Sequence, residues 1–208
     1  MNGFYAVFLK TMGPGERYKD VSAEALERYR NLFPKDLVDF WATEGWASYA
    51  DGLLWTVDPE EYAWIAEEWI KNCPEVPAAG LHVIARNAYG ELYCLSLEGG
   101  CIVKISCPTG NIIAPRSLLK LKGDAVRAAQ TFFGMASPER FDLFDVDGAR
   151  IFPRALAKLG PVGENEIYGF VPIITLGGET CISNTEKFRM DVHLDILLAS
   201  TEPRLLLM

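Results

Sequence analysis

Apolar positions recur at helical spacing just after Pro34, where Leu37, Phe40 and Trp41 fall on one side and Gly45 ends the run. A proline suited to the first helical position, with Asp36 and Asp39 near the positive end of the helix dipole, predicts a helix with one buried face. The next apolar run, Gly52-Leu-Leu-Trp-Thr-Val57, is too short for a surface helix and reads as a strand. Asp58-Pro-Glu-Glu61 then supplies an N-cap, a proline at N1 and an acid at N3 for a second helix, from about Pro59 to Asn72. In that helix Tyr62, Ile65, Ala66, Trp69, Ile70 and Cys73 gather on one side and form core. Trp64 lies roughly 200° from Tyr62 at about 100° per residue, on a face shared with Glu60, Glu61, Glu67, Glu68 and Lys71. Either it packs beneath another part of the chain, or it anchors a partner protein, since tryptophan is enriched in interface hot spots.

From Leu81 the period changes to two. Leu81 to Arg86, Glu91 to Leu97 and Cys101 to Ser106 are separated by Asn87-Ala-Tyr-Gly90 and Glu98-Gly-Gly100, which predicts an antiparallel meander closed by the turn Pro108-Thr-Gly-Asn111. Earlier, Gly3 to Met12 suits helix or strand equally, Gly13-Pro-Gly15 is a breaker, and Ser22 starts a short helix. Pro115 to Gly123, with Arg116, Lys120 and Lys122, is a basic connector and the candidate boundary between a domain over residues 1–115 and another over residues 123–208. Beyond it the pattern predicts a helix from Asp124 to Phe133, an aspartate-bearing loop, a helix from Ala149 to Leu159, and a buried strand and tight turn within Glu166 to Glu179. A final helix from about Asp191 buries Leu194, Leu197 and Leu198. The fold class is α+β: N-terminal helices packed on an antiparallel meander, then a smaller, mostly helical C-terminal block.

Composition sharpens this picture. With 208 residues, 50% apolar and 12% aromatic, the chain has ample material for a core. Its 28 acids against 20 Lys and Arg give a net charge of −8, which disfavours direct nucleic-acid binding and favours a basic partner. Neither a run of about 18 apolar residues nor the basic start and cleavage site of a signal peptide is present, so a cytosolic, membrane-free location is expected. The cysteines at 73, 94, 101, 107 and 181 form no Cys-x-x-Cys pair and are expected as free thiols; with only His82 and His193 beside them, no metal site and no cofactor are expected.

Tests for chemistry fail in turn. Asp145-Val-Asp147-Gly148 resembles part of a calcium loop, but Leu143 occupies the first ligand position and Arg154 the twelfth. Gly160-Pro-Val-Gly163 and Gly177-Gly178 lack the residues of a phosphate loop or dinucleotide fingerprint. No Gly-x-Ser-x-Gly elbow occurs, and pairing Cys107 with His193 requires the fold to be assumed. No catalytic residue is assigned. The candidate partner-binding residues are Trp64 with Glu60, Glu61, Glu67 and Glu68, and the loop acids Asp142, Asp145 and Asp147.

Two blocks also resemble a known family. Pro34-Lys-Asp-Leu-Val-Asp-Phe-Trp, Glu44-Gly-Trp, Gly52-Leu and Val57-Asp-Pro-Glu-Glu-Tyr62 resemble the GAD-like domain of bacterial proteins. Ile151-Phe-Pro-Arg-Ala-Leu-Ala-Lys-Leu-Gly160, Glu166-Ile-Tyr-Gly-Phe-Val-Pro, Leu176-Gly-Gly178 and His193-Leu-Asp-Ile-Leu197 resemble the immunity domain usually joined to it. The resemblance implies a non-enzymatic immunity protein that binds the nuclease domain of a cognate type VI secretion DNase toxin in the cytosol. Its motif residues are mostly apolar, glycine or proline, and are taken as fold determinants. The apolar tail Thr201 to Met208 departs from the family and leaves its packing or a role in self-association open. The rivals are a non-catalytic adaptor and an enzyme using the cleft between the blocks, which a convergence of titratable groups there would favour.

Overall fold

The computed structural model describes residues 3–71, 73–77, 80–120 and 123–208. Its helices are α1 (Gly3–Met12), α2 (Ala23–Arg30), α3 (Lys35–Glu44), α4 (Ala63–Ile70), α5 (Ala125–Gly134), α6 (Pro138–Phe141), α7 (Phe152–Leu159) and α8 (Met190–Ala199). Strands β1 (Glu16–Lys19), β2 (Trp46–Tyr49), β3 (Leu54–Thr56), β4 (Leu81–Asn87), β5 (Glu91–Ser96), β6 (Cys101–Ser106) and β7 (Asn111–Ala114) pair antiparallel in chain order. A separate hairpin joins β8 (Glu166–Phe170) to β9 (Thr185–Arg189), and β10 (Arg204–Leu207) returns to the large sheet parallel to β7. The protein is α+β as the pattern predicts, with a mixed C-terminal block in which the hairpin and β10 accompany the helices.

The meander is buried on both faces, so β4 and β5 do not alternate between core and solvent as a two-residue period predicts. Helix α1 settles its ambiguous segment by burying Tyr5, Phe8 and Met12. Tyr5 stacks on Phe40 of α3 at 4.7 Å, and Phe8 meets Phe133 of α5 at 5.1 Å. Tyr93 of β5 packs on Phe132 at 5.3 Å, so α5 completes a core begun by the first hundred residues. Asp124, expected as the first helical residue, caps α5 instead, with its Oδ1 accepting from Arg127 N at 3.0 Å. The connector ends where Gly123 N donates to Glu98 O at 3.1 Å. A Cβ on Gly123 would sit 1.9 Å from Gly99 O, so only glycine permits this approach. Lys122 and Asn72 lie outside the described residues.

Some boundaries differ from expectation. Helix α4 begins at Ala63 rather than Pro59, because Asp58 Oδ1 takes the Tyr29 hydroxyl and Glu60 N and holds a turn, not a helix start. Helix α7 begins at Phe152 rather than Ala149, because Asp147 Oδ1 accepts from Ala149 N at 2.9 Å and Arg150 bridges to Phe144. Strands β1, β2, β7 and β9, none longer than five residues, add to the predicted elements. All five cysteines are free and buried.

Candidate partner-binding surface

Helix α4 presents the surface that its periodicity predicts. Ile65, Ala66, Trp69 and Ile70 are buried, as are Tyr62 before the helix and Cys73 after it, while Trp64 remains 44% exposed. The acids around it are less free than their number suggests. Glu60 receives a two-point bond from Arg28 at 2.9 and 2.7 Å, Glu61 pairs with Lys19, and Glu68 lies 3.2 Å from Lys71. Glu67 makes no ion pair among the described residues. Exposed pairs of this kind contribute little to stability. They do convert separate charges into dipoles, which leaves Trp64 on a polar rather than strongly acidic face.

The loop acids divide. Asp142 Oδ1 accepts from the Tyr89 hydroxyl at 2.7 Å, Leu143 N at 2.7 Å and Phe152 N at 2.9 Å. Asp145 is buried and takes Ile182 N at 3.0 Å and Arg154 at 2.8 Å. Those contacts, with the Ile182 N–H foremost, hold its carboxyl below the usual range. Both side chains tie the loop to α7 and to the turn before β9. Asp147 stands exposed, 3.5 Å from Arg154.

Sequence reasoning missed a cleft of about 560 Å³ between the β1–β3 edge and residues 161–166. One wall is aromatic: Trp55 lies 5.3 Å from Tyr18 and donates its indole N–H to Gly52 O at 2.7 Å. Arg86 stacks on Trp55 at 4.5 Å and donates to Glu164 O at 2.8 Å and Gly163 O at 3.2 Å, which binds residues 163–164 to β4. Glu16, Asp51 and Glu164 line the same cleft and make no ion pair among the described residues. Arg17 donates instead to Glu44 O at 2.8 Å and Asp20 at 2.9 Å. A carboxylate-rimmed hollow with an aromatic wall is suited to a cationic side chain of a partner.

The paired Cys107 and His193 of the sequence tests do not have the electrostatics of a thiolate–imidazolium couple. Burial pushes the Cys107 thiol up and the His193 imidazole down, and His193 stacks on Phe188 at 4.3 Å. Among the described residues, no group of three or more His, Cys, Asp or Glu is placed to hold a metal ion.

Residues 3–109 match the model of the GAD-like domain. The chain belongs to the GAD-like family. In this GAD-like protein residues 127–199 match the model described as T6SS immunity protein Tdi1, C-terminal. Its fold is similar to that in the crystal structure of Atu4351 from Agrobacterium tumefaciens, with a TM-score of 0.87 and 19% identity over 98% of this chain and 92% of that one. No curated protein sequence matches it. None of its described helices is long and apolar enough to cross a membrane.

Proposed function

We propose that this GAD-like chain is a type VI secretion immunity protein that binds and neutralises a cognate basic DNase toxin in the bacterial cytosol. The observation that carries this reading is the match of residues 127–199 to the Tdi1 C-terminal model, joined to a GAD-like block. Such a family role is non-enzymatic: the protein acts by occupying its partner. The net charge of −8 supports steering toward a cationic nuclease surface. Trp64 serves as an anchor, Glu60, Glu61, Glu67, Glu68 and exposed Asp147 supply acidic contacts, and Asp142 and Asp145 act by shaping the loop. A GAD-like unit over residues 1–115 and an immunity-type unit over residues 123–208 act together, since α5 and β10 complete the first unit's core and sheet.

The test is titration of the full chain into the nuclease domain encoded beside its gene, followed by calorimetry and DNase inhibition. Trp64→Ala should weaken binding by about 2 kcal/mol or more, as a hot spot does, with little change in unfolding midpoint. Charge reversal at Glu60, Glu67 and Glu68 should chiefly slow association, and less so as salt rises, because exposed charges are screened over about 8 to 10 Å. Absence of affinity for that nuclease sinks the proposal.

A further inference from the structure

The two edges of the eight-stranded sheet are built differently. At one edge, β1 carries Glu16, Arg17 and Lys19, slips register between Arg17 and Lys19, and ties those two cations to Asp20 and Glu61. Charge and an irregular register are devices that stop a sheet edge from pairing with another chain. At the other edge, β10 reads Arg204-Leu205-Leu206-Leu207 and pairs with β7 in unbroken register from Arg204↔Asn111 to Leu207↔Ala114. Arg204 N donates to Gly110 O at 2.9 Å and Met208 N to Ala114 O at 3.0 Å. Strand alternation therefore turns the N–H and C=O groups of Leu205 and Leu207 away from β7. Leu206 and Met208 are 45% and 77% exposed beside that edge, with which no further strand pairs among the described residues.

Cations stand at both ends of β10 although the chain as a whole is acidic, with the acid Glu202 beside Arg204. Arg204 stands at its start, and Arg116, whose N–H donates to Met208 O at 3.0 Å, stands at its end with Lys120 beyond. All three are exposed, and none makes an ion pair among the described residues. At the Arg204 end lies a hollow of about 490 Å³ lined by Thr109, Asn111, Thr175, Ser200, Thr201 and Glu202. The buried Thr175 Oγ1 has no hydrogen-bond partner among the described residues, and such orphans call for an explanation.

We propose that β10 is an acceptor edge for an extended segment of a partner protein that carries apolar residues at alternate positions and an acid near each end. Leu205 and Leu207 offer it main-chain hydrogen bonds, Leu206 and Met208 offer apolar contact, and Arg204 and Arg116 attract its acids. A second copy of this chain fits less well. Antiparallel pairing centred on Leu206 would set Arg204 beside Met208 of the other copy, where that copy's Arg116 begins, so like charges would meet. The edge lies at the far side of the sheet from β1 and the acidic cleft, and the inference does not depend on the toxin reading.

The experiment is fluorescence anisotropy with the full chain and a labelled synthetic heptapeptide, Asp-Thr-Leu-Thr-Val-Thr-Glu, with a control in which both acids are lysine. Saturable binding is expected, weaker by about tenfold or more for the lysine control, since each charge-assisted contact is worth about that factor. Leu205→Pro removes an outward N–H and no bond to β7, and should cost about tenfold or more in peptide affinity. Arg204→Glu leaves one cation and one acid at the two ends of β10 and should abolish the preference between the two peptides. Should Leu205→Pro fail to fold, Leu206→Lys places a charge at an exposed edge position and should abolish binding on an intact sheet. No binding of the acidic peptide, or equal binding by the wild type and the edge variants, overturns the proposal. So does a dimer in sedimentation velocity that Leu206→Lys abolishes, because the second copy would then be the occupant.

Discussion

Replacement of Arg86 probes the join between the two halves of the chain. Arg86 is fully buried near the end of β4, and no carboxylate stands at ion-pair distance among the described residues. Its Nε donates to the Tyr62 hydroxyl at 3.0 Å, one terminal nitrogen donates to the carbonyls of Glu164 and Gly163, and its Cζ sits 4.5 Å from the Trp55 ring. In Arg86→Ala the buried Tyr62 hydroxyl loses its donor, at about 1 to 2 kcal/mol. The two carbonyls belong to exposed residues and can take water, so they add about 0.5 kcal/mol each. Lost stacking on Trp55 adds about 1 kcal/mol and the vacated stem about 1 kcal/mol more. The expected loss is about 4 kcal/mol. Arg86→Met refills the volume and relieves the desolvated charge, so it should recover about half of that. Urea unfolding at constant slope measures both, and hydrogen exchange at residues 161–165 should quicken in both variants. A loss below about 1.5 kcal/mol for alanine, or exchange at residues 161–165 that quickens in neither variant, would refute the argument that the guanidinium is the clamp.

Three other outcomes follow from buried groups. Glu91 accepts from Asn87, Tyr93, Lys104 and Ser106, so Glu91→Ala should cost about 3 kcal/mol or more in chemical denaturation; a loss under about 1 kcal/mol would show that water replaces the network. Burial holds His193 and His82 below the usual imidazole range, so the unfolded chain takes up protons that the folded chain refuses. Their contribution is full above about pH 6.5 and is lost as the pH falls below it toward the lowered folded values; the urea midpoint should drop between about pH 7.5 and 5.5, and less steeply in His193→Leu, an unchanged slope counting against the assignment. Alkylation of unreduced, denatured protein should add five labels by mass, and fewer through native disulfides would contradict the free thiols.

The elements that were legible in the sequence are those whose signal is local. The stripe on α4, the glycine stop after α3, the start of α5 near Asp124 and the turns that separate β4, β5 and β6 each depend on neighbours within a turn or two. What escaped depends on partners far along the chain. Asp58 looks like a helix cap until Tyr29 takes its carboxylate, which moves the start of α4 to Ala63. The tail around Leu205 has no period of its own and becomes a strand only because β7 offers it an edge. Strands of four residues such as β1 and β2 carry too few positions for a period to show.

The candidate surface divides along the same line. The direction of Trp64 follows from helical geometry alone, and the structure leaves it exposed. The state of the surrounding charges does not, because Arg28 reaches Glu60 and Lys19 reaches Glu61 from other elements. Asp142 and Asp145 read as a solvated acidic loop, yet their acceptor oxygens are taken by Tyr89, Phe152, Ile182 and Arg154. Net charge survives such pairing, and on the function proposed above it steers a cationic partner from a distance. At contact the opposite holds, since a paired acid presents a dipole while an unpaired one presents its whole charge. Near-field attraction on this protein is therefore carried by Glu16, Asp51 and Glu164 in the cleft and by Glu67 beside Trp64, carboxylates that come from four separate segments and that no local pattern could have grouped.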